Sequence, residues 1–268
     1  MLKIKGIIIA TIICLLLCQA GFAEGTQPAK STGIISAMQN EIDLLLATAE
    51  IDHTDTVGGV DYHVGTLCDE PVVIAKAGIG KILSAAGMTA MLNNYDISRV
   101  LFTGIAGGVG DETRVLDVVI ATELVQHDFG NLNNDGFVWC GGFNGESGHY
   151  ICDGELVEMA YRAALAVVGE GHVFRGLVAS GDQFVASEAF VRRLQEEFNA
   201  IACEMEGASI ALVCEQYNTP FVVIRTLSDK ADGLAHETYE NMADLAADNS
   251  CRIVMEMLKS SKAIENND

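Results

Sequence analysis

Two acids flanking a methionine, Glu204-Met205-Glu206, open an apolar helix pattern in the stretch IACEMEGASIALVCEQYNTPFVVIRTLSDKAD, residues 201–232. A strand pattern of buried type follows over 221–224 and runs into Arg225 and then Ser228-Asp229. In an α/β fold, acids at a helix start and at a strand end converge on the crevice beyond the strands' carboxyl ends. An unpaired buried carboxylate costs on the order of several kcal/mol. Carboxylates gathered there beside a cation are therefore groups for chemistry, in the first place proton transfer, rather than for structure.

The elements that must position them alternate along the chain. Strand patterns fall at 33–36, 71–76, 100–103, 115–124 and 173–179, with a short one at 201 and another at 221–224. Helix patterns fall at 39–49, 79–93, 155–168, 187–198, 206–216 and 237–259. Residues 56–67 alternate around Gly58-Gly59 and predict a hairpin; residues 126–150 show no clear period and predict a long excursion. This order predicts a single-domain, three-layer α/β sandwich with a mixed, mostly parallel central sheet. Its strand-end motifs are Ala37-Met38, Ala77-Gly78-Ile79-Gly80, the glycine-rich turn 103–108, the segment 180–185, Glu204-Met205-Glu206 and residues 225–229. All of them should gather around one pocket.

Each motif alone also has a plain reading. The glycines of 104–108 allow close backbone approach to a ligand, but they also serve to pack a strand against a helix. They do not form a GxGxxG fingerprint, and Ala77-Gly78-Ile79-Gly80-Lys81 lacks the Ser or Thr of a phosphate loop. Asp229 could cap a helix, and Glu41 could be an exposed acid favoured by a helix dipole. Phe184 and Met205 could be core filling. Arg225 could form a structural salt bridge to Glu206 or Glu41.

Bulk composition narrows the classes. The chain has 268 residues and is 50% hydrophobic, enough for one sizeable core. Its 16 basic against 37 acidic residues give a formal charge of -21, a surface that repels phosphate backbones and excludes nucleic acid as a partner. No CxxC or Cys/His spacing predicts a metal site, and no cofactor is expected. Lys3 and Lys5, the apolar run 7–17 and Ala20-Gly21-Phe22-Ala23 form a secretory signal pattern over 1–23, with cleavage after Ala23. A linker over 24–31, a domain over 32–262 and a polar tail over 263–268 follow. The chain is thus expected to be exported, periplasmic or extracellular, touching a membrane only through the signal or a lipid anchor at Cys18. Of the six cysteines beyond the signal, Cys140 and Cys152 are the best disulfide pair; buried free thiols are the alternative.

Taken as a set, GIISAMQNEI, AGIGK, TGIAGG, RGLVASGDQF, CEMEGASIA and VVIRTLSDKAD resemble, in order and spacing, the 5′-methylthioadenosine/S-adenosylhomocysteine nucleosidases of the nucleoside phosphorylase superfamily. The resemblance runs from Gly33 to about Leu258. It implies hydrolysis of an N-glycosidic bond in a small-molecule nucleoside, releasing adenine and a 5-thioribose, by a homodimer. By the same resemblance, Asp229 matches the acid that protonates adenine, Glu41 the base that activates water, and Arg225 the cation that orders them. Glu206 matches the holder of the ribose hydroxyls, with Glu204 and Met205 beside it. Phe184 and Val185 match the adenine-facing residues, and Tyr239 an aromatic near the 5′-thio group. Ala37, Met38, Ile79, Gly80, Ile105, Ala106, Gly107 and Ser228 complete the expected binding site.

The departures from the family also matter. Ile105 stands where many relatives carry Ser or Thr, which removes a hydroxyl near the nucleophile. Phe102 stands about where related phosphorylases place an Arg, which argues for water over phosphate. Gln126-His127-Asp128-Phe129 resembles the family's His-Asp segment only loosely, with His127 read as structural. A futalosine-type or broader purine nucleosidase is the alternative, then a phosphorylase, then an exported binding protein that kept the fold.

Overall fold

The computed structural model describes residues 30–141 and 147–265. The expected signal over 1–23, with Cys18, lies outside the described residues, as do all but the last two positions of the linker and the last three of the tail.

Strand β1 (Ser31–Ser36) pairs in parallel with β4 (Glu70–Lys76) on one side and β5 (Ile97–Gly108) on the other. Between β1 and β4 lie helix α1 (Asp43–Thr48) and the hairpin of β2 (Glu50–Val57) and β3 (Val60–Leu67). Gly58 and Gly59 turn that hairpin with φ of 62° and 84°, the paired left-handed conformations that a two-residue hairpin turn requires. Helix α2 (Lys81–Asn94) connects β4 to β5. The second half contributes β6 (Val118–Gln126), β10 (Val173–Ser180), β11 (Ala200–Glu204) and β12 (Phe221–Asp229). Helices α3 (Gly154–Val168), α4 (Glu188–Phe198), α5 (Gly207–Gln216) and α6 (Ala235–Glu265) connect or close them.

The large sheet runs β11-β10-β6-β12-β5-β1-β4-β3-β2. Its inner pairings β4-β1-β5-β12 are parallel, whereas β6 runs antiparallel to β12. Helix α6 packs on α3, β5 and β12, and α2 packs on α5. One pairing was not expected from the alternation of elements: the end of β5 bonds antiparallel to β11, Gly107 opposite Cys203 and Gly108 opposite Ala202. That contact closes β5, β12, β6, β10 and β11 into a ring. It carries the ends of β5, β11 and β12 to the same point.

Several boundaries differ from the sequence reading for physical reasons. Helix α1 starts at Asp43 rather than 39, because Glu41 sits in a turn and its carboxylate captures the amides of Ala37 and Met38. Strand β12 continues past 224 to Asp229, and all nine of its residues are buried. The excursion 126–150 holds a two-stranded ribbon, β7 (Gly130–Asn133) with β8 (Gly136–Trp139), and β9 (His149–Ile151) pairs with β6. Trp139 anchors this segment, donating its indole N–H to the Gln126 carbonyl at 2.8 Å and meeting Phe198 edge-on. The six described cysteines are free thiols, so the expected Cys140–Cys152 disulfide is not formed. Cys152 is buried in the main core, while the half-buried Cys140 bonds through its amide to the Phe129 carbonyl.

Tyr62 ties the hairpin to α2: it is fully buried and its hydroxyl donates to the Gly87 carbonyl at 2.8 Å. Gly87 also lets α2 lie close on the end of β4, since a Cβ there would lie 2.8 Å from Ala77 Cβ. Tyr62→Phe is expected to lower stability by about 1 kcal/mol, the net worth of one such bond. The loss should appear as a lower urea midpoint at unchanged slope.

Candidate active site

The three converging strand ends enclose a cavity of about 260 Å³. The end of β5 lines it with Ile105, Ala106 and Gly107. Gly107 leaves room for Asp229, because a Cβ would lie 3.0 Å from Ala231 Cβ and 3.1 Å from Asp229 Oδ1 and would crowd both. Ala37, Met38 and Glu41 enter from the β1–α1 turn, and Ile79 from the β4–α2 loop. Phe184 and Val185 come from the β10–α4 loop, and Glu204, Met205 and Glu206 from the β11–α5 junction. Ser228 and Asp229 end β12, and Tyr239 projects from α6. Of the residues expected from sequence, only Gly80 and Arg225 do not line the cavity.

Both act from behind it. Gly80 donates its amide to Glu206 Oε1 at 2.7 Å. Arg225 is completely buried, with its guanidinium 3.8 Å from the centre of the Phe102 ring. Its Nη2 donates to Glu204 Oε2 at 2.6 Å and lies 4.0 Å from Glu206 Oε2. The main partner is therefore Glu204, not the Glu206 or Glu41 considered as its structural salt-bridge partners. Glu204 is correspondingly committed. Besides Arg225 it accepts from the Ser180 hydroxyl and from the amides of Glu206 and Gly207. These amides open α5, whose N-terminus favours a carboxylate. Glu204 thus reaches the cavity wall but its oxygens face the protein.

Glu41 is the opposite case, an acid held in place yet open to the cavity. Its Oε2 accepts from the amides of Ala37 (2.9 Å) and Met38 (2.7 Å), and its Oε1 from the amide of Ile105 (2.9 Å). Gly104 lets this happen: a Cβ there would overlap Glu41 Oε1 and Arg225 Nη1. Burial raises the Glu41 carboxyl above its ordinary value, outweighing the field of Arg225 and the three amides. The Ile105 amide does this work whatever its side chain is. That side chain instead packs on Ala243, Ala246 and Ala247 of α6, which accounts for an aliphatic residue at this position.

At the other end, Asp229 accepts from the Ala231 amide at 2.7 Å and the Ser228 hydroxyl at 2.8 Å. Burial still lifts its carboxyl above the ordinary aspartate range. Helix α6 begins six residues later, so Asp229 does not cap it. Between the two ends, burial and then the charge of Glu204 push Glu206 up to about 8, with Arg225 opposing. The aromatic wall is Phe184. The His236 ring stacks on it at 4.5 Å and 25°, and the Tyr239 ring meets it edge-on at 5.7 Å.

Sequence reasoning missed Gln183, Cys203 and His236, which also line the cavity. Gln183 lay inside a motif already singled out. Cys203 follows from strand alternation, since it shares a face with Met205. His236 carried no signal, because the helix pattern was placed from 237 and the structure begins α6 at Ala235.

The fold and this pocket define the class. The family model of the phosphorylase superfamily matches residues 31–259. A 5′-methylthioadenosine/S-adenosylhomocysteine nucleosidase of Tolumonas auensis is 36% identical over 228 residues, 85% of this chain and 98% of the relative. That of Shewanella halifaxensis is 34% identical over the same shares. The Neisseria meningitidis nucleosidase, solved with methylthio-immucillin-A, matches with a TM-score of 0.80 at 37% identity, over 87% of this chain and 100% of that one. A Helicobacter pylori futalosine hydrolase matches with a TM-score of 0.77 at 31% identity, over 86% and 98% of the two chains. The chain belongs to the 5′-methylthioadenosine/S-adenosylhomocysteine nucleosidase family.

A testable consequence concerns Glu206. Its folded-state pKa is raised, so its contribution to stability is fully present below the ordinary carboxylate value and is lost as pH rises through about 8. Glu206→Gln removes that loss. Its melting temperature should gain on the parent's steadily between pH 5 and pH 9 in the absence of ligand. Parallel curves for the two proteins would show that Glu206 carries no such strain.

Proposed function

We propose that this chain hydrolyses the N-glycosidic bond of 5′-methylthioadenosine and S-adenosylhomocysteine, releasing adenine and a 5-thioribose. One observation carries the reading. Two buried carboxyls with raised proton affinity, Glu41 and Asp229, face one cavity from different strand ends. The Ile105 amide holds Glu41 and Gly107 abuts Asp229, so the two acids are set apart by two residues of β5, roughly 7 Å of strand. That span suits one acid at the sugar carbon and one at the leaving base.

Adenine stacks on Phe184 in this reading, with the Val185 backbone at its edge. Asp229 delivers a proton to the purine, because an adenine anion is a poor leaving group and burial strengthens the carboxyl's hold on the proton it must relay. The bond breaks with positive charge growing on the ribose. Glu206 receives the sugar hydroxyls, and the acids around it stabilise the oxocarbenium-like centre electrostatically. Glu41 takes the proton of the attacking water, aligned by its bonds to Ala37, Met38 and Ile105. Arg225 positions the acids from beneath. Phe102 supports water over phosphate as nucleophile, since it fills the space under Arg225 with an aromatic ring instead of a second cation.

The second reading is a futalosine-type hydrolase, favoured by the Helicobacter pylori structure above. Incubation with methylthioadenosine, adenosylhomocysteine and futalosine, with and without phosphate, separates the readings by the base released. Release only with phosphate sinks hydrolysis. Asp229→Asn and Glu41→Gln should each lower kcat by at least about 100-fold, the usual cost of a lost general acid or base. Near-normal rates in both would remove these role assignments.

We further infer a homodimer, supported by Ile79, Ile82 and Leu83, which stand exposed at the pocket rim and the start of α2. The signal pattern over 1–23 supports export. Intact-mass and native-mass measurement of the mature protein should give a chain beginning at Glu24 and twice its mass in solution.

A further inference from the structure

The residues beside the cavity that the chemistry leaves unused form one connected group. Lys81, at the start of α2, donates from Nζ to Asp128 Oδ1 at 2.6 Å. Asp128 Oδ2 accepts from the Asp182 amide at 2.9 Å, and Asp182 Oδ1 accepts from the Lys81 amide at 2.8 Å. Two carboxylates, that of Asp128 just after β6 and that of Asp182, thus join two loops belonging to different parts of the pocket, and Asp128 bonds to both loops at once. The first loop carries Gly80, whose amide holds Glu206 at the sugar. The second carries Phe184 and Val185 at the base.

The joint is well seated. Lys81 and Asp128 are only 16% and 15% exposed, so their attraction is weakly screened. Burial draws the Asp128 carboxyl upward, but the bonds from Lys81 and the Asp182 amide, with the charge of Lys81, bring it below its ordinary value. It is therefore an ionised acceptor. Beneath it the buried His127 donates its amide to the Ser180 carbonyl at 3.0 Å, and its ring fills the space where a side chain on Gly181 would stand. Gly181 therefore lets the second loop lie directly against that ring.

We propose that Asp128 is a positioning residue that links the sugar-holding loop to the base-holding loop, so that occupancy of either half of the site favours the other. This rests on the nucleosidase reading. A fragment that orders one loop orders the joined loop as well, and the second fragment then meets a site already set. The linkage must be reciprocal.

The test uses the two product fragments, adenine and 5-methylthioribose, bound to the full-length mature chain and followed by calorimetry. In the parent, each fragment should raise the affinity of the other by roughly 5-fold or more, the lower end of measured couplings. In Asp128→Ala the coupling should fall well below the parent's, with only the bond from the Lys81 amide to Asp182 still joining the loops, while each fragment alone binds at least as well as before, because it no longer has to order both loops fully. Lys81→Met cuts the same link from the other side and should behave alike, which keeps the test decisive if Asp128→Ala fails to fold. Parental coupling retained in the variants overturns the proposal. So does weaker binding of each fragment alone, the mark of general damage. A parent that releases no adenine counts against the nucleosidase reading itself and takes the proposal with it.

Discussion

The site depends on one buried guanidinium shared among three glutamates. Arg225 has no exposure, and Glu204, Glu206 and Glu41 surround it. One positive charge cannot neutralise three negative ones away from water, so the cluster must divide its roles. Glu204 takes the direct ion pair and the amides of the α5 start. Glu206 and Glu41 receive Arg225 only as a neighbouring field, which leaves both with raised proton affinity. Catalytic potential arises from that unequal sharing. Removing Arg225 would strand Glu204 as an unpaired buried charge, a loss of about 3–5 kcal/mol by precedent for buried pairs.

The closed ring of strands makes the sharing possible. Were β5 merely a central parallel strand, its end would stop short of β11. Bonded to Ala202 and Cys203, it runs to Gly108 and serves as a ruler with Glu41 at one mark and Asp229 at another. Its glycines have specific duties. Gly104 admits both the Glu41 carboxylate and the Arg225 guanidinium, and Gly107 admits Asp229. Any side chain at those positions would push apart the groups the site needs close.

How far the sequence was readable varied with the range of the interaction. The hairpin at Gly58-Gly59 was legible because two left-handed glycines between alternating residues encode a turn locally. The start of α1 was misplaced, because the capture of the Ala37 and Met38 amides by Glu41 is a tertiary-site geometry inside an otherwise helical pattern. Strand β12 was cut short at Arg225, since a charged residue reads as a strand end until its buried partner is known. The ribbon and β9 within 126–150 were missed because their short strands carry too few periodic residues. Their order comes from Trp139 packing and pairing with β6.

The amino-acid sequence alone determined the family, the alternating α/β order and nearly all of the pocket's lining, because these are written in local motifs and their spacing. It also marked Ile105 as unusual. Only the tertiary structure decided which glutamate pairs with Arg225, that the amide of Ile105 and not its side chain serves Glu41, and that Asp128 ties two distant loops together. The reason is physical. Residue type and order specify which groups can donate or accept, but partner choice, burial and the resulting proton affinities depend on distances between segments from 21 residues apart in the chain, as between Glu204 and Arg225, to 126 apart, as between Gly80 and Glu206.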